Sequence, residues 1–502
     1  MHDVVDPRAA RLFGPSGAND DLAASPFRAD RDRIVSSPFF ARLGGVTQVI
    51  SPGGSGLLVH NRLTHSLKVA QVARAVAERL TGDPRYQDLL EKLGGCDPDV
   101  VEAAALAHDL GHPPFGHLGE RVLDRLARER FGLADGFEGN AQSYRIVTST
   151  EIRGSSRAGL DLTAAVRAAM LKYPWTRLSY PDPHPRSLDP PPRGAAAAPG
   201  DPAGGSAKFG AYSTELEDLR QARAPFDGRI APWQQTVEAS IMDIADDIAY
   251  AIHDVEDFYR VGVLQQGSVA TELLGWQRQR GELAAITDAE LGHDTRRPGL
   301  AIERLRRQVR RKDRWISDDD AFADAVELAR REVVDGLLAA PFDGSIEAEQ
   351  YVGEFSARWT RRLVNAIEVQ AEPTTRSGHV VLRPAEWHQV VVLKFIHQRF
   401  VLNRPDLALH QRGQARLLGT LVESLLDWIL DPEAASRLPS RLRDLIELGE
   451  AELPADTPDR SAKARGRAII DFVASLTDGQ AVAMLDALSG RSGQLWTDAF
   501  VL

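Results

Sequence analysis

The chain of 502 residues holds a single cysteine, Cys96. One thiol closes no internal disulfide and makes no cysteine-based zinc site, so the fold has to stand on its apolar core. Long apolar runs are missing as well; none reaches the ~18 residues a membrane-spanning helix needs. The opening stretch "MHDVVDPRAARLFGPSGANDD" contains no apolar signal region, so the expected location is the cytoplasm, with no membrane partner. Positive charge is not in excess. There are 60 Lys and Arg against 71 Asp and Glu, a formal net charge of −11, which argues against a protein coated in nucleic-acid-binding charge. Strand alternation is scarce; the best instance is "HVVLRP" (His379–Pro384), read as part of a small hairpin.

What is present is helical period. "LKVAQVARAVAERL" (Leu67–Leu80) repeats apolar residues at i, i+3, i+4 and i+7, and so do "VVEAAALAHDL", "ASIMDIADDIAYAIHDVEDF" and "ARLLGTLVESLLDWIL". The expected fold class is all-α, with an N-terminal arm (1–60), a helical core (61–262) and a C-terminal helical region (263–502). One stretch differs in kind. Residues 181–206, "PDPHPRSLDPPPRGAAAAPGDPAGGS", are rich in Pro, Gly and Ala. They lack the apolar side chains that offset ordering entropy and read as a disordered insertion. The first ~25 residues look similarly loose.

The chemistry concentrates in "ALAHDLGHPPFGHLGE" (Ala105–Glu120). Asp97 and Pro98 suit the start of a helix, small apolar residues form its body, and Gly111 and Pro113 stop it. His108 and Asp109 are therefore expected in the last turn of a buried helix. A buried aspartate is costly unless a positive charge meets it, and a metal ion flanked by an imidazole meets that need. Two further segments supply ligand types. His65 opens an amphipathic helix in "HNRLTHSLKVA", and Asp243, Asp246, Asp247 and Asp254 punctuate the apolar "MDIADDIAYAIHD". Asp246, Tyr250 and Asp254 fall at i, i+4 and i+8, on one helix face. His65, His108, Asp109 and one of these aspartates would make a His₂Asp₂ set with open positions, suited to an octahedral ion such as Mn²⁺, Fe²⁺, Mg²⁺ or Ni²⁺. The competing reading of each segment alone is bland: a hydrogen-bonded buried pair, or a solvated acidic face.

The order H…HD…D resembles the HD-domain metal-dependent phosphohydrolases. The strings "NRLTHSLKV", "AHDLGHPPFGHLGE", "GFEGNAQSYRI", "LKYPW" and "SIMDIADDIAYAIHDVED" resemble the dGTPase-like deoxynucleoside triphosphate triphosphohydrolases, from about Arg31 to Phe258. That resemblance implies an HD-domain core and hydrolysis of a dNTP at the α-phosphorus, giving deoxynucleoside and triphosphate. It implies one divalent metal ion per site (Mn²⁺, Mg²⁺ or Fe²⁺) held by His65, His108, Asp109 and Asp246. Asp246 rather than Asp247 follows from counting back from Tyr250 and from the face shared with Tyr250 and Asp254. His117 and Glu120 match the family's catalytic His–Glu couple, and His112 would lie near the phosphates. Arg62 and Lys172 would meet the triphosphate. Tyr250 would pack on the sugar and Asp254 would accept from the 3′ hydroxyl. Gln48 would approach base and sugar, and Asn140 and Gln142 would shape the same pocket. A homo-oligomer, up to a hexamer, is also implied. The insertion and the loosely matching C-terminal half depart from the family pattern, so the expectation is a dNTP triphosphohydrolase without a stated base. Two alternatives stand beside it. One is another HD-domain nucleotide phosphohydrolase, acting on a monophosphate or a cyclic nucleotide. The other is a regulatory assembly that binds dNTP or single-stranded nucleic acid, resting on the basic run "RLRRQVRRKDR" (Arg304–Arg314). The plain reading of that run is a solvated helix face.

Overall fold

The computed structural model of the chain describes residues 6–12, 25–49, 59–151, 159–198, 200–201, 204–293, 296–372 and 378–492. The fold is all-α: twenty α-helices among the described residues, with one two-stranded sheet. That sheet pairs Ile367–Val369 antiparallel with Val380–Leu382, Ile367 opposite Leu382, so "HVVLRP" does form one arm of a small hairpin. No helix among the described residues is long and apolar enough to cross a membrane.

Three helices make the frame of the site. Arg62–Thr81 begins with a capping box in which Asn61 and Thr64 satisfy each other's backbone N–H groups. Pro98–Ala107 begins with Asp97, whose side chain accepts from the Asp99 N–H, and buries Val100, Val101 and an alanine-rich body. Those small side chains let it lie against the Arg62 helix, the Pro26–Val35 helix and the Ala164–Met170 helix at once. It ends at Ala107, so His108 is its C-terminal cap and Asp109 sits in the following turn, one step beyond the expected last helical turn. Val237–Arg260 runs 24 residues and is buried on nearly every side, the mark of a central helix.

The packing draws its line later than residue 262. One apolar cluster runs from Phe27 through Trp276, Trp359 and Leu393 to Val401. Phe27, Ile34, Phe39 and Phe40, from the expected arm, belong to it. A second cluster joins Val122, Leu123 and Phe131 to Leu418, Leu425, Ile469 and Phe472 of the C-terminal helices. Of the N-terminal stretch read as loose, residues 1–5 and 13–24 lie outside the described residues. In the described part, Arg8 pairs with Glu238 and Arg11 with Asp30.

The Pro/Gly/Ala stretch differs from its expectation. Ala195 is buried with Tyr173, Trp175, Phe209 and Tyr212. Lys208 N–H donates to Gly194 O at 3.0 Å and Ala207 N–H to Ala196 O at 3.0 Å, closing the stretch back on its own flank. The alanines are too small to make a core of their own, but they fit beneath an aromatic cluster supplied by the rest of the chain. Composition within the segment does not reveal that surface.

Candidate active site

The Arg62, Pro98 and Val237 helices and the loop after Ala107 converge on one cavity of about 200 Å³. Its wall carries Gln48, Arg62, His65, His108, Asp109, His112, His117, Glu120, Asn140, Lys172, Asp246 and Tyr250. Every sequence-predicted site residue is therefore on this wall except two. Gln142 is buried behind it, with Nε2 donating to Asp471 at 3.2 Å and Oε1 accepting from Tyr212 at 3.0 Å. Asp254 lies beneath Tyr250, its carboxylate 2.9 Å from His397 Nδ1.

Two side-chain groups divide the chemistry. In the first, His65, His108 and Asp109 each bring a ligand atom within 4.8 Å of the others. Asp246 Oδ1 joins them, 3.1 Å from His65 Nε2 and 3.8 Å from His108 Nε2. His108 Nδ1 donates to Ala105 O at 2.7 Å, so its Nε2 carries the lone pair. That Nε2 is buried without a hydrogen-bond partner among the described residues and stands 3.4 Å from Asp109 Oδ1. A lone pair thus faces the inner oxygens of two carboxylates, Asp109 Oδ1, which also stands 2.9 Å from His112 Nδ1, and Asp246 Oδ1, which meets His65 Nε2. The outer oxygens are already neutralised: Asp109 Oδ2 by Arg62 Nη1 at 2.8 Å, Asp246 Oδ2 by Lys172 Nζ at 3.1 Å. A cation answers the His108 lone pair and both inner oxygens at once, and two imidazoles with two carboxylates are the donor set of a divalent transition-type ion. The residues fit such an ion.

The electrostatics agree. Burial alone would push Asp109 up, but His108, His112 and Arg62 outweigh it and hold the carboxyl well below its usual range. Burial also opposes charge on Asp246, and Lys172, His65 and His108 reverse the balance, so it too is held ionised. Lys172 is pushed down by burial but carried well above its ordinary value by Asp243 and Asp246.

The second group is His112, His117 and Glu120. Glu120 Oε2 lies 2.8 Å from His117 Nδ1, and Glu120 Oε1 is 3.3 Å from His112 Nε2. Glu120 is held well below its usual range although burial opposes this, through Lys208, His117 and His112. An ionised carboxylate can only accept, so His117 donates from Nδ1 and turns Nε2 outward. The His117 side chain is 60% exposed in the cavity mouth, whereas Glu120 is 9% exposed. His117 and Glu120 pair with each other, and with His112 they too bring three ligand atoms within 4.8 Å of one another. The turn that presents them needs Gly116 at φ +57°, where a Cβ would stand 2.8 Å from Arg62 Nη2.

Sequence reasoning missed three wall residues, Tyr173, Lys208 and Lys394; the fourth further wall residue, Asp247, is weighed there and set aside in favour of Asp246. Lys208 Nζ donates to Glu138 Oε1 at 2.7 Å and lies 3.5 Å from Glu120 Oε2. Lys394 Nζ stands 5.5 Å from the centre of the Tyr250 ring. His397, one turn on, meets the Tyr250 hydroxyl at 3.1 Å. A signal existed: Lys394 is the lone charge inside "VVVLKFI", as anomalous there as Asp109 is at the end of its own apolar run.

Residues 62–251 match the HD domain and residues 380–487 the phosphohydrolase-associated domain. With the all-α core and the His/Asp cluster, these define a hydrolase of the HD phosphohydrolase class, with residues able to bind a divalent metal. The chain is similar over nearly its whole length to deoxyguanosinetriphosphate triphosphohydrolase-like proteins. One from Streptomyces coelicolor is 32% identical, with 97% of each chain covered. One from Pseudomonas aeruginosa is 36% identical, covering 96% of this chain and 97% of its own. One from Bifidobacterium longum is 33% identical, covering 91% and 82%. The chain belongs to the deoxyguanosinetriphosphate triphosphohydrolase-like family.

Proposed function

We propose that the protein hydrolyses deoxynucleoside triphosphates at the α-phosphorus, releasing deoxynucleoside and inorganic triphosphate. The observation that carries this reading is the sharing of one cavity by a cation-demanding His/Asp cluster, a His–Glu pair and four bases, Arg62, Lys172, Lys208 and Lys394. A triphosphate brings several negative charges close together, and a ring of cations in a partly enclosed cleft answers them.

His65, His108, Asp109 and Asp246 would hold one divalent ion (Mn²⁺, Mg²⁺ or Fe²⁺). When bound, it supplies neutralisation at the reacting phosphate and orientation of water. The chain's own residues do the rest. A water oxygen adds to the α-phosphorus, the bond to the 5′ oxygen breaks, and that oxygen needs a proton. His117 Nε2 is the exchangeable proton site at the cavity mouth, and Glu120 keeps it facing the substrate. Arg62, Lys172 and Lys208 bind the phosphates. Tyr250, buttressed by His397, packs on the sugar, and Asp254, joined to the same buttress, orients Tyr250 through it. Gln48, whose buried Oε1 has no partner among the described residues, offers an acceptor to the nucleoside, and Asn140 borders the pocket beside it.

The test is incubation with each dNTP and Mn²⁺, followed by chromatography of the products. Deoxynucleoside and triphosphate in equal amounts are expected. Pyrophosphate or orthophosphate as the released group would overturn the reading, and orthophosphate from monophosphates would point to the alternative HD-domain activity.

A further inference from the structure

Asp246 and Asp247 are neighbours with opposite duties. Asp246 turns to His65 and Lys172, whereas Asp247 turns to Lys394 and Arg193. The Arg193 contact is the unusual one, because Arg193 comes from the Pro/Gly/Ala stretch. Three features hold it there. Ala195 N–H donates to Pro192 O at 3.0 Å, which closes a tight turn around Arg193. Gly194, at φ +87°, lies so close to the cavity wall that a Cβ would meet Tyr173 Cε1 at 2.6 Å. Ser206 Oγ donates to Ala195 O at 2.8 Å and fixes the far side. The outcome is a guanidinium whose Nη1 stands 3.2 Å from Asp247 Oδ2, while Asp247 Oδ1 accepts from Lys394 Nζ. Asp247 is thus shared by two cations, one on the cavity wall and one on the insertion.

We propose that Arg193 is a positioning residue: by taking part of the charge of Asp247, it leaves Lys394 able to turn its ammonium to the substrate's phosphates, so that the insertion forms part of the triphosphate site. The inference rests on the dNTP reading and names a residue of the insertion that serves it. Without Arg193, more of the negative charge of Asp247 falls on Lys394. That carboxylate then competes with the ligand for the lysine and repels the incoming phosphates. Lys394 is the affected group because its ammonium also rests over the Tyr250 ring, which keeps it within reach of both the carboxylate and the cavity. The Arg193 side chain is 49% exposed, so its truncation leaves the core intact.

The experiment is calorimetric titration of the full chain, loaded with Mn²⁺, with inorganic triphosphate and separately with deoxyguanosine. Arg193→Ala should bind triphosphate about three- to tenfold more weakly and deoxyguanosine as the wild type does. Arg193→Lys, which keeps the charge, should recover most of the loss. The decisive variant is the double Arg193→Ala/Asp247→Asn, in which neither charge remains; it should regain triphosphate affinity relative to Arg193→Ala alone. Equal triphosphate binding by wild type and Arg193→Ala overturns the inference while leaving the dNTP reading in place. A loss that the double variant does not recover overturns it too, because Arg193 then meets phosphate directly. Absence of triphosphate binding by the wild type removes the dNTP reading itself.

Discussion

His108 shows how one residue's surroundings dictate its chemistry. Its Nδ1 is occupied by the Ala105 carbonyl, so a ligand-ready lone pair is fixed at Nε2 before any ion arrives. His108→Ala should therefore remove metal retention while the helices stay folded. Metal analysis of the dialysed protein beside its melting curve checks this, and a stoichiometric ion in the variant would disprove the ligand set. His117 makes the contrast. It is exposed, paired with Glu120 and edge-on to His112, and outside the set formed by His65, His108, Asp109 and Asp246. His117→Ala should keep the ion and the fold yet lose turnover by about 10²- to 10⁴-fold, the range for a lost proton-transfer group. Loss of metal together with turnover would mean that the two groups of side chains are not separate in function. His108 stood out in the sequence because a His–Asp pair ends an apolar run, whereas His117 and Asp246 were reached through the family resemblance. Lys208 and Lys394 were not read out, since a lysine is most often a solvated head on an apolar stem. Their partners, Glu120, Glu138 and Asp247, lie far away in the chain.

At the scale of elements, the site depends on how closely the Gly139–Arg145 helix approaches the His117–Glu129 helix. A Cβ built on Gly139 would stand 2.2 Å from Glu120 Oε1 and 3.3 Å from His112 Cε1. Gly139→Ala should push Glu120 off His117, lowering kcat by about tenfold or more while metal content is unchanged. An unaltered kcat would show that the orientation of His117 does not limit the rate. Helical period was readable, and the Pro98 helix appears with its expected start at Asp97, whereas the Arg62 helix is capped by Asn61 and begins three residues ahead of His65, which was read as its opening. The packing of the described part of 181–206 was not readable, because its stabilising aromatics, Trp175, Phe209 and Tyr212, lie outside it. The basic run Arg304–Arg314 also changes meaning once its neighbours are known. Arg306 pairs with Glu303 and Asp319, Arg307 with Glu303 and Asp288, and Arg311 with Asp288. Charge already paired within the chain contributes little to a nucleic-acid surface, which favours the plain reading of a solvated helix face.

For the whole molecule, the join between the HD core and the C-terminal helices is polar and buried. Arg42 donates to the Leu110 and His112 carbonyls on one side and to Ala474 and Leu476 on the other, all at 2.8–3.0 Å. Asp478 accepts from Phe115 N–H at 2.9 Å and holds Thr47, so the loop that carries the site histidines is anchored to the last described helix. Arg145 gathers Glu215, Glu452 and Asp471 from three segments. Within this hub Glu215 is the misfit. Burial raises its carboxyl from 4.5 to about 6; Arg145 works against the shift and Glu452 adds to it. Because the folded state holds the proton more tightly than the unfolded chain, the contribution of Glu215 to stability is fully present below pH 4.5. It falls as pH rises to about 6 and is level above, a change of about 2 kcal/mol. Glu215→Gln carries no such proton. The melting temperature of the wild type relative to this variant should therefore drop by a few degrees between pH 4.5 and 6.5 and stay constant from there to pH 8. Other buried carboxyls titrate in both proteins and cancel in the difference. A difference that is flat across the whole range would mean that Arg145 keeps Glu215 ionised, and a rising one would mean that the ion pair outweighs burial at this joint.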